Sequence, residues 1–374
     1  MIVNGAYYNE NPSGDWYSYD EIDKTGANYR IVIGMKSNGK TYGMKLKFLE
    51  NFFKHGKQFA YLRTSVEEIK LKRVSGYWAD MTDVLQEYGQ HYFPGYDFYS
   101  IEIRNGRFIL YGNTTDPVKA EKLGVMGYYF ALNQTRYDSS IPYPDINIIC
   151  YEEFLSTDYE SPENFPQFIK FVSTIKRKRT DMVVYLLGNT VSRSSVILGG
   201  MGINVRELKQ GTVQLFSYHW GDGANPNTVA IEWCRRYEQS TQSESFFHFG
   251  DPRELMITNG LWETGEYPIF NIEAAQENIV PKMALCFDVE GIHLYAYFMQ
   301  EGALISDTRL LTYAEYWLVH EGATNLHRHQ IAIDSPLQGM ERLRKYIRHY
   351  YDNGWIKYSN NLAGDDFARI MQRI

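Results

Sequence analysis

Eight consecutive residues, Gly34, Met35, Lys36, Ser37, Asn38, Gly39, Lys40 and Thr41, follow the order glycine, four residues, glycine, lysine, hydroxyl residue. The glycines let backbone N–H groups close around an anion, the Lys40 ammonium can reach β- and γ-phosphate oxygens, and the Thr41 hydroxyl can ligate Mg²⁺. Such a run holds ATP only between a strand and a helix. Tyr29-Arg-Ile-Val-Ile33 before it reads as a β-branched strand. After it, Met44, Phe48 and Phe52 recur at helical spacing, Leu49 and Phe53 widen that face, and Gly56 stands where a C-cap belongs. The bland alternative is a glycine-rich turn.

A triphosphate on such a loop needs a carboxylate brought up from a second buried strand. Ile146-Asn-Ile-Ile-Cys-Tyr151, started by the turn Pro142-Tyr-Pro144-Asp145, runs into Glu152 and Glu153. Glu152 is the candidate for the metal, directly or through water, and Glu153 for the base that orients the attacking water. The alternative is a solvated acidic pair at a strand end. Glu153 directly after the metal acid points to the additional-strand, catalytic-glutamate (ASCE) class of P-loop ATPase. That class places a third strand between the other two, and Asp181-Met-Val-Val-Tyr-Leu-Leu187 suits it, delivering Asn189 as γ-phosphate sensor. Gly188-Asn189 is equally a common turn pair. The run Lys176-Arg-Lys-Arg179 closes an amphipathic stretch from Phe165 to Ile175. It is either a solvated, dipole-stabilising helix end or the source of an arginine finger, Arg177 first and Arg179 second.

The 374 residues suit two domains, each able to bury its own core. The expected fold class is α/β. A P-loop ASCE ATPase domain with a central, mostly parallel sheet spans residues 1–222, a lid or linker residues 223–266, and a smaller α/β domain residues 267–374. Three scattered cysteines, Cys150, Cys234 and Cys286, lack metal-ligand spacing and read as reduced core residues. No segment reaches the roughly 18 apolar residues of a membrane span, and the N-terminus has no leader pattern, so the chain is expected in the cytoplasm of the cell that makes it. The net charge of −7 argues against coating nucleic acid by bulk attraction. Between Gly43 and Arg73, however, eight Lys/Arg face three Glu, a local excess of five that can grip phosphates.

With these residues in place, the chain resembles the DNA encapsidation ATPases of small podoviruses, the packaging motors of protein-primed genomes. The resemblance runs over most of residues 25–195. It rests on Gly34 to Thr41 continuing into Tyr42-Gly-Met-Lys45, on Phe59-Ala-Tyr-Leu-Arg63, and on Gly127-Tyr-Tyr-Phe-Ala-Leu132. The Tyr143-Pro-Asp145 turn leading to Glu152-Glu153-Phe154 and Leu187-Gly-Asn189 complete it. Glu152 departs from the usual Asp, which leaves the mode of metal binding open. The resemblance implies a homopentameric ring on the viral portal of a procapsid, hydrolysing ATP and translocating double-stranded DNA, in the cytoplasm of the infected host and outside the mature virion. It implies DNA contacts from Arg63, Lys70, Lys72 and Arg73, within the basic stretch. A structural packaging RNA is a further partner the sequence leaves open.

Elsewhere, Tyr99–Arg104 and Arg107–Tyr111 flank Asn105-Gly106, a hairpin signal. Thr212–Tyr218 reads as the last strand of the sheet, Thr228–Tyr237 as helical, and Glu238–Glu244 as lid or linker. Lys282–Asp288 and Gly291–Phe298 form two strands about a tight turn, resembling the opening of an RNase-H-like domain. The resemblance implies a vestigial nuclease. Asp288, with Asp307, Asp365 or Asp366, supplies acids for two metals, but no spacing argues that they converge. Arg342, Arg344, Lys345 and Arg348 on one helix offer a docking face for nucleic acid or portal. His327 and His329 are more simply hydrogen-bonded or exposed histidines than a metal site. Rival readings are a terminase-type enzyme with a working nuclease, a cellular ring ATPase such as a helicase loader, and a scaffold that binds ATP without turning it over.

Overall fold

The β-branched run Tyr29–Gly34 forms strand β2, whose last four residues are buried, as expected of a strand covered on both faces. In the computed structural model, the residues described are 2–8, 16–115, 120–137, 141–156, 160–193, 195–219, 226–235, 261–262, 264–289, 291–312, 314–322, 329–333 and 338–373. They divide into two compact units, Met1–Ile197 with Val205–Trp262, and Leu198–Asn204 with Glu263–Ile374.

The first unit is built on a ten-stranded sheet. In chain order its strands are β1 (Ile2–Tyr8), β2, β3 (Gln58–Arg63), β4 (Phe98–Arg104), β5 (Arg107–Asn113), β6 (Glu121–Ala131), β7 (Ile146–Glu152), β8 (Val183–Asn189), β9 (Thr212–Tyr218) and β10 (Asn227–Trp233). They lie in the order β1-β9-β10-β2-β8-β7-β3-β6-β5-β4. From β10 to β6 every neighbouring pair is parallel. The third strand does stand between the two motif strands: β8 separates β2 from β7, and the α/β, mostly parallel sheet is the one expected. Register makes the strand ends level, with Gly34 opposite Asn189 and Glu152 opposite Leu187.

The helix Lys40–His55 covers one face of this sheet. It starts at Gly39, whose φ of +94° favours glycine, and stops at Gly56, φ +63°, whose N–H bonds the Phe52 carbonyl. Met44, Phe48 and Leu49 are fully buried, and Phe48 stacks on Phe59 of β3 at 3.9 Å between ring centroids. Each such side chain contributes about 1.5–3 kcal/mol of burial. The helix Asn164–Lys176 contributes Phe168, Phe171, Val172 and Ile175 to the core. The expected hairpin turns at Asn105-Gly106, both at positive φ.

Two expectations fail here. Thr212–Tyr218 is a strand but not the last one, and the stretch from Thr228 is not helical: Asn227–Trp233 is β10, parallel to β2 and antiparallel to β9. Its Val229, Ala230 and Ile231 are buried, and a slot beside the P-loop strand outweighs a weak local preference. Part of the expected lid is thus sheet, while Glu238–Glu244 lies outside the described residues. Strand β1, antiparallel to β9, was not anticipated.

The second unit has a six-stranded sheet, β15-β14-β11-β12-β13-β16, of β11 (Met283–Val289), β12 (Ile292–Phe298), β13 (Ala303–Ser306), β14 (Tyr316–His320), β15 (Gln330–Ala332) and β16 (Ile356–Tyr358). Three antiparallel strands, β11, β12 and β13, are extended by parallel β14 and β15 beside β11 and by parallel β16 beside β13. The helices Gln338–Asp352 and Asn361–Arg373 supply Leu343, Ile347, Phe367 and Ile370 to its core.

Candidate active site

Lys40 is buried, and its ammonium donates to the Met35 carbonyl at 2.6 Å, the Gly34 carbonyl at 3.2 Å and Asn38 Oδ1 at 3.1 Å. It also reaches Asn189 Oδ1 at 3.3 Å. Burial pulls its pKa down to about 8, against the opposing pull of Cys234, Glu152 and Glu153. The loop is tightly backed. A Cβ on Gly34 would sit 2.8 Å from Cys234 Cβ, and one on Gly39 3.3 Å from Trp16 Cβ. Tyr17 N–H donates to the Asn38 carbonyl and the Tyr19 hydroxyl to the Lys40 carbonyl. Met35 and Asn38 are buried, Lys36 and Ser37 exposed, and Ser37 holds φ +59°.

Thr41 Oγ1 donates to Glu152 Oε1. The two residues come from a helix start and a strand end 111 positions apart, and both carry hard oxygen donors, the kind Mg²⁺ selects. That donor set fits a magnesium ion held by Thr41 and Glu152 with the phosphates. Up to Glu152, β7 keeps an unbroken register with β8. Lys40, Thr41, Glu152 and Asn189, which sequence spacing could only nominate separately, therefore meet at the level ends of β2, β8 and β7.

Glu153 follows at φ +52° and is exposed. It is paired with Arg63 Nη2, which also binds Glu68 Oε1 at 2.7 Å. Although burial opposes its charge, Arg63 is held more firmly cationic than usual by Tyr61, Glu153 and Glu68. Arg63 accordingly faces these groups with a side chain 13% exposed, and is not on an open basic surface. The basic excess is similarly spent: Lys45 pairs with Asp80 at 2.7 Å, Lys47 with Asp23, Lys54 with Glu50, and Lys70 with Glu67 at 2.5 Å. Lys72 and Arg73 are exposed and make no ion pair among the described residues. Sequence reasoning missed Tyr61 and Tyr77 near Glu152 and Glu68 as the second partner of Arg63.

Arg177 lies at the C-cap of helix Asn164–Lys176, exposed and with φ +48°. Arg179 is tied to the carbonyls of Pro144 (2.7 Å), Ile175 (2.9 Å) and Tyr143 (3.3 Å). It clamps the turn that starts β7. In the second unit Asp288 is exposed. Asp307 accepts from Ser359 and Asn360, and Asp365 from Tyr267, while Asp366 is buried. Among the described residues no three metal-ligating side chains gather to hold an ion. His329 packs on Trp317 beside Glu315, and His327 lies outside the described residues. Arg342, Lys345 and Arg348 are exposed, whereas Arg344 donates to the Ile333 carbonyl. No helix among the described residues is long and apolar enough to cross a membrane.

Residues 6–198 match the podovirus DNA encapsidation protein (Gp16) family. Over 178 residues the chain is 28% identical to the DNA packaging proteins of Bacillus phages B103 and phi29, a match covering 47% of this chain. It spans about half the length of these curated relatives, 46% and 45%. A chain in the bacteriophage Phi-29 viral genome packaging motor assembly superposes with a TM-score of 0.58 at 17% identity, over 96% of this chain and 99% of that one. At that identity the likeness speaks to fold.

Proposed function

The chain belongs to the podovirus DNA encapsidation protein family, and from that premise we propose that it is an ATP-driven motor translocating double-stranded viral DNA into a procapsid. The observation that carries the proposal is the Thr41–Glu152 contact beside Lys40 and Asn189. It supports a triphosphate on loop amides, Mg²⁺ held by Thr41 and Glu152, and Asn189 sensing the γ-phosphate. Glu153, released from Arg63, orients the attacking water. The exposed Arg177 reaches a neighbouring subunit's nucleotide across a ring, which we take to be a homopentamer docked on the portal, with or without a structural packaging RNA. Lys72 and Arg73, joined by Lys70, contact duplex phosphates without reading sequence. The second unit serves docking rather than cutting, and the site of action is the infected host's cytoplasm.

The test mixes Arg177→Ala subunits, which bind ATP but lack the finger, with Glu153→Gln subunits, which bind without hydrolysis. Duplex-stimulated ATP turnover restored in mixed rings supports catalysis across interfaces; assembled mixed rings with no restored turnover remove the finger. Wild-type chain that binds ATP but never hydrolyses it, with or without duplex DNA, is a scaffold and not a motor.

A further inference from the structure

Residues 64–81, between the end of β3 and the helix Thr82–Tyr92, carry the basic turn Lys70, Lys72 and Arg73 between two ties to the nucleotide-site elements. The first tie is Arg63, ion-paired with Glu153 and, at 2.7 Å, with Glu68. The second is Lys45 of the helix Lys40–His55, whose ammonium meets Asp80 Oδ1 at 2.7 Å and lies 4.7 Å from the centroid of the Tyr77 ring. Lys45 stands about one helical turn after Thr41. Its side chain is 7% exposed and that of Asp80 52%, so the apolar stem is buried and the charged tip emerges at the surface. The neighbouring lysines of that helix turn elsewhere, Lys47 to Asp23 and Lys54 to Glu50 within the helix itself. Between the ties, Val74, Trp78 and Met81 are buried, with Trp78 6.0 Å from Phe59 of β3 between ring centroids. The basic turn therefore stands with Lys72 and Arg73 exposed on a packed base, and the Lys45–Asp80 pair joins that base to the helix that begins at the glycine loop.

We propose that Lys45 is the positioning residue for this basic turn: through Asp80 it ties the turn to the loop helix, so that occupancy of the loop changes the grip of Lys70, Lys72 and Arg73 on duplex phosphates. The inference rests on the reading of the loop as an ATP site and of the turn as a duplex contact. Its physical reason is that a helix passes a displacement of its first turn along its length as a stiff element, and a salt bridge hands that displacement to the next element. An ion pair with one end in water contributes little to stability. Two opposite charges facing each other from separate elements nevertheless fix how those elements lie, and Lys45 and Asp80 are 35 residues apart. Coupling between two binding sites is reciprocal, so the duplex alters nucleotide affinity by the same factor.

The duplex affinity of the full chain is measured by fluorescence anisotropy with and without a non-hydrolysable ATP analogue and Mg²⁺. The quantity read is the ratio of the two affinities, because removing an acid strengthens duplex binding in both states alike and cancels from it. Coupled sites typically show ratios of about 5–150-fold, and the wild-type chain is expected within that range. Asp80→Asn is expected to bring the ratio to about one at an unchanged melting temperature, whereas Asp80→Glu, which keeps the charge, retains most of it. Glu50→Gln removes an acid that serves the same helix without reaching the turn, and is expected to keep the wild-type ratio. A wild-type ratio in Asp80→Asn, or an equal loss in Glu50→Gln, overturns the proposal. Lys45→Met keeps the stem over Tyr77 and removes the charge. Its loss and that of Asp80→Asn are expected not to add in the double variant, and full additivity also overturns the proposal. A ratio of one in the wild-type chain is a different failure: it removes the coupling of nucleotide to duplex that the motor reading requires, and this inference with it.

Discussion

Glu153 is ion-paired with Arg63, 90 residues earlier in the chain and at the end of the neighbouring strand β3. Arg63 is in turn anchored by Glu68, whose other oxygen accepts the Ser65 N–H at 2.7 Å. The glutamate proposed to orient water is thus held by a cation whose position is set from the far side. If the pair restrains Glu153, Arg63→Gln is expected to raise ATP turnover without DNA and to shrink the stimulation by duplex. It should also lower the melting temperature, because a charge-assisted hydrogen bond worth about 1.5–3 kcal/mol is lost. Unchanged basal turnover and stimulation would reduce the pair to a structural tie.

The two adjacent acids are expected to fail differently. Glu153→Gln should lower kcat by about 10²–10⁴-fold while ATP and Mg²⁺ bind normally, the loss typical of a general base. Glu152→Gln should instead weaken metal-dependent nucleotide binding. Equilibrium binding of a fluorescent ATP analogue, with and without Mg²⁺, separates them; identical behaviour would contradict the division of roles.

Lys40 supplies a pH dependence. Its pKa in the nucleotide-free fold is about 8 because burial penalises the charge, and bound phosphates favour the charged form. The bound state therefore holds more protons than the free state above pH 8, so ATP binding takes up a proton there and affinity falls as pH rises. Calorimetry in buffers of different ionisation enthalpy is expected to show proton uptake near pH 8.5 and much less at pH 6.5. Equal uptake at both would show that Lys40 is not the group responsible.

Gly34 has no room for a side chain, since an added Cβ would lie 2.8 Å from Cys234 Cβ. Gly34→Ala is expected to cost about 1–3 kcal/mol through overpacking and to impair ATP binding by shifting the loop. Cys234→Gly in the same chain removes the opposing atom and should recover part of both losses. Nucleotide affinity and melting temperature measure them; no recovery would place the defect in the loop backbone itself.

What the sequence determined by itself was local or had chemistry written into adjacent residues. The strand, glycine loop and helix from Tyr29 to Gly56 follow from β-branching, two glycines and an apolar repeat within one stretch of chain. The Asn105-Gly106 turn needs only its own backbone angles, and the buried runs into Glu152 and Asn189 could be nominated from their composition. The tertiary structure alone decided the rest. Asn227–Trp233 became a strand because the edge of β2 was open to it, a fact that lies 200 residues away in the register Val229 to Tyr29 and beyond and overrides a weak helical pattern. Arg63 became a partner of Glu153 and Glu68 because strand pairing set it beside the end of β7, a contact that spacing along the chain does not contain. Pairing between distant strands is chosen by how both fit a common core, and no window of neighbouring residues contains that information.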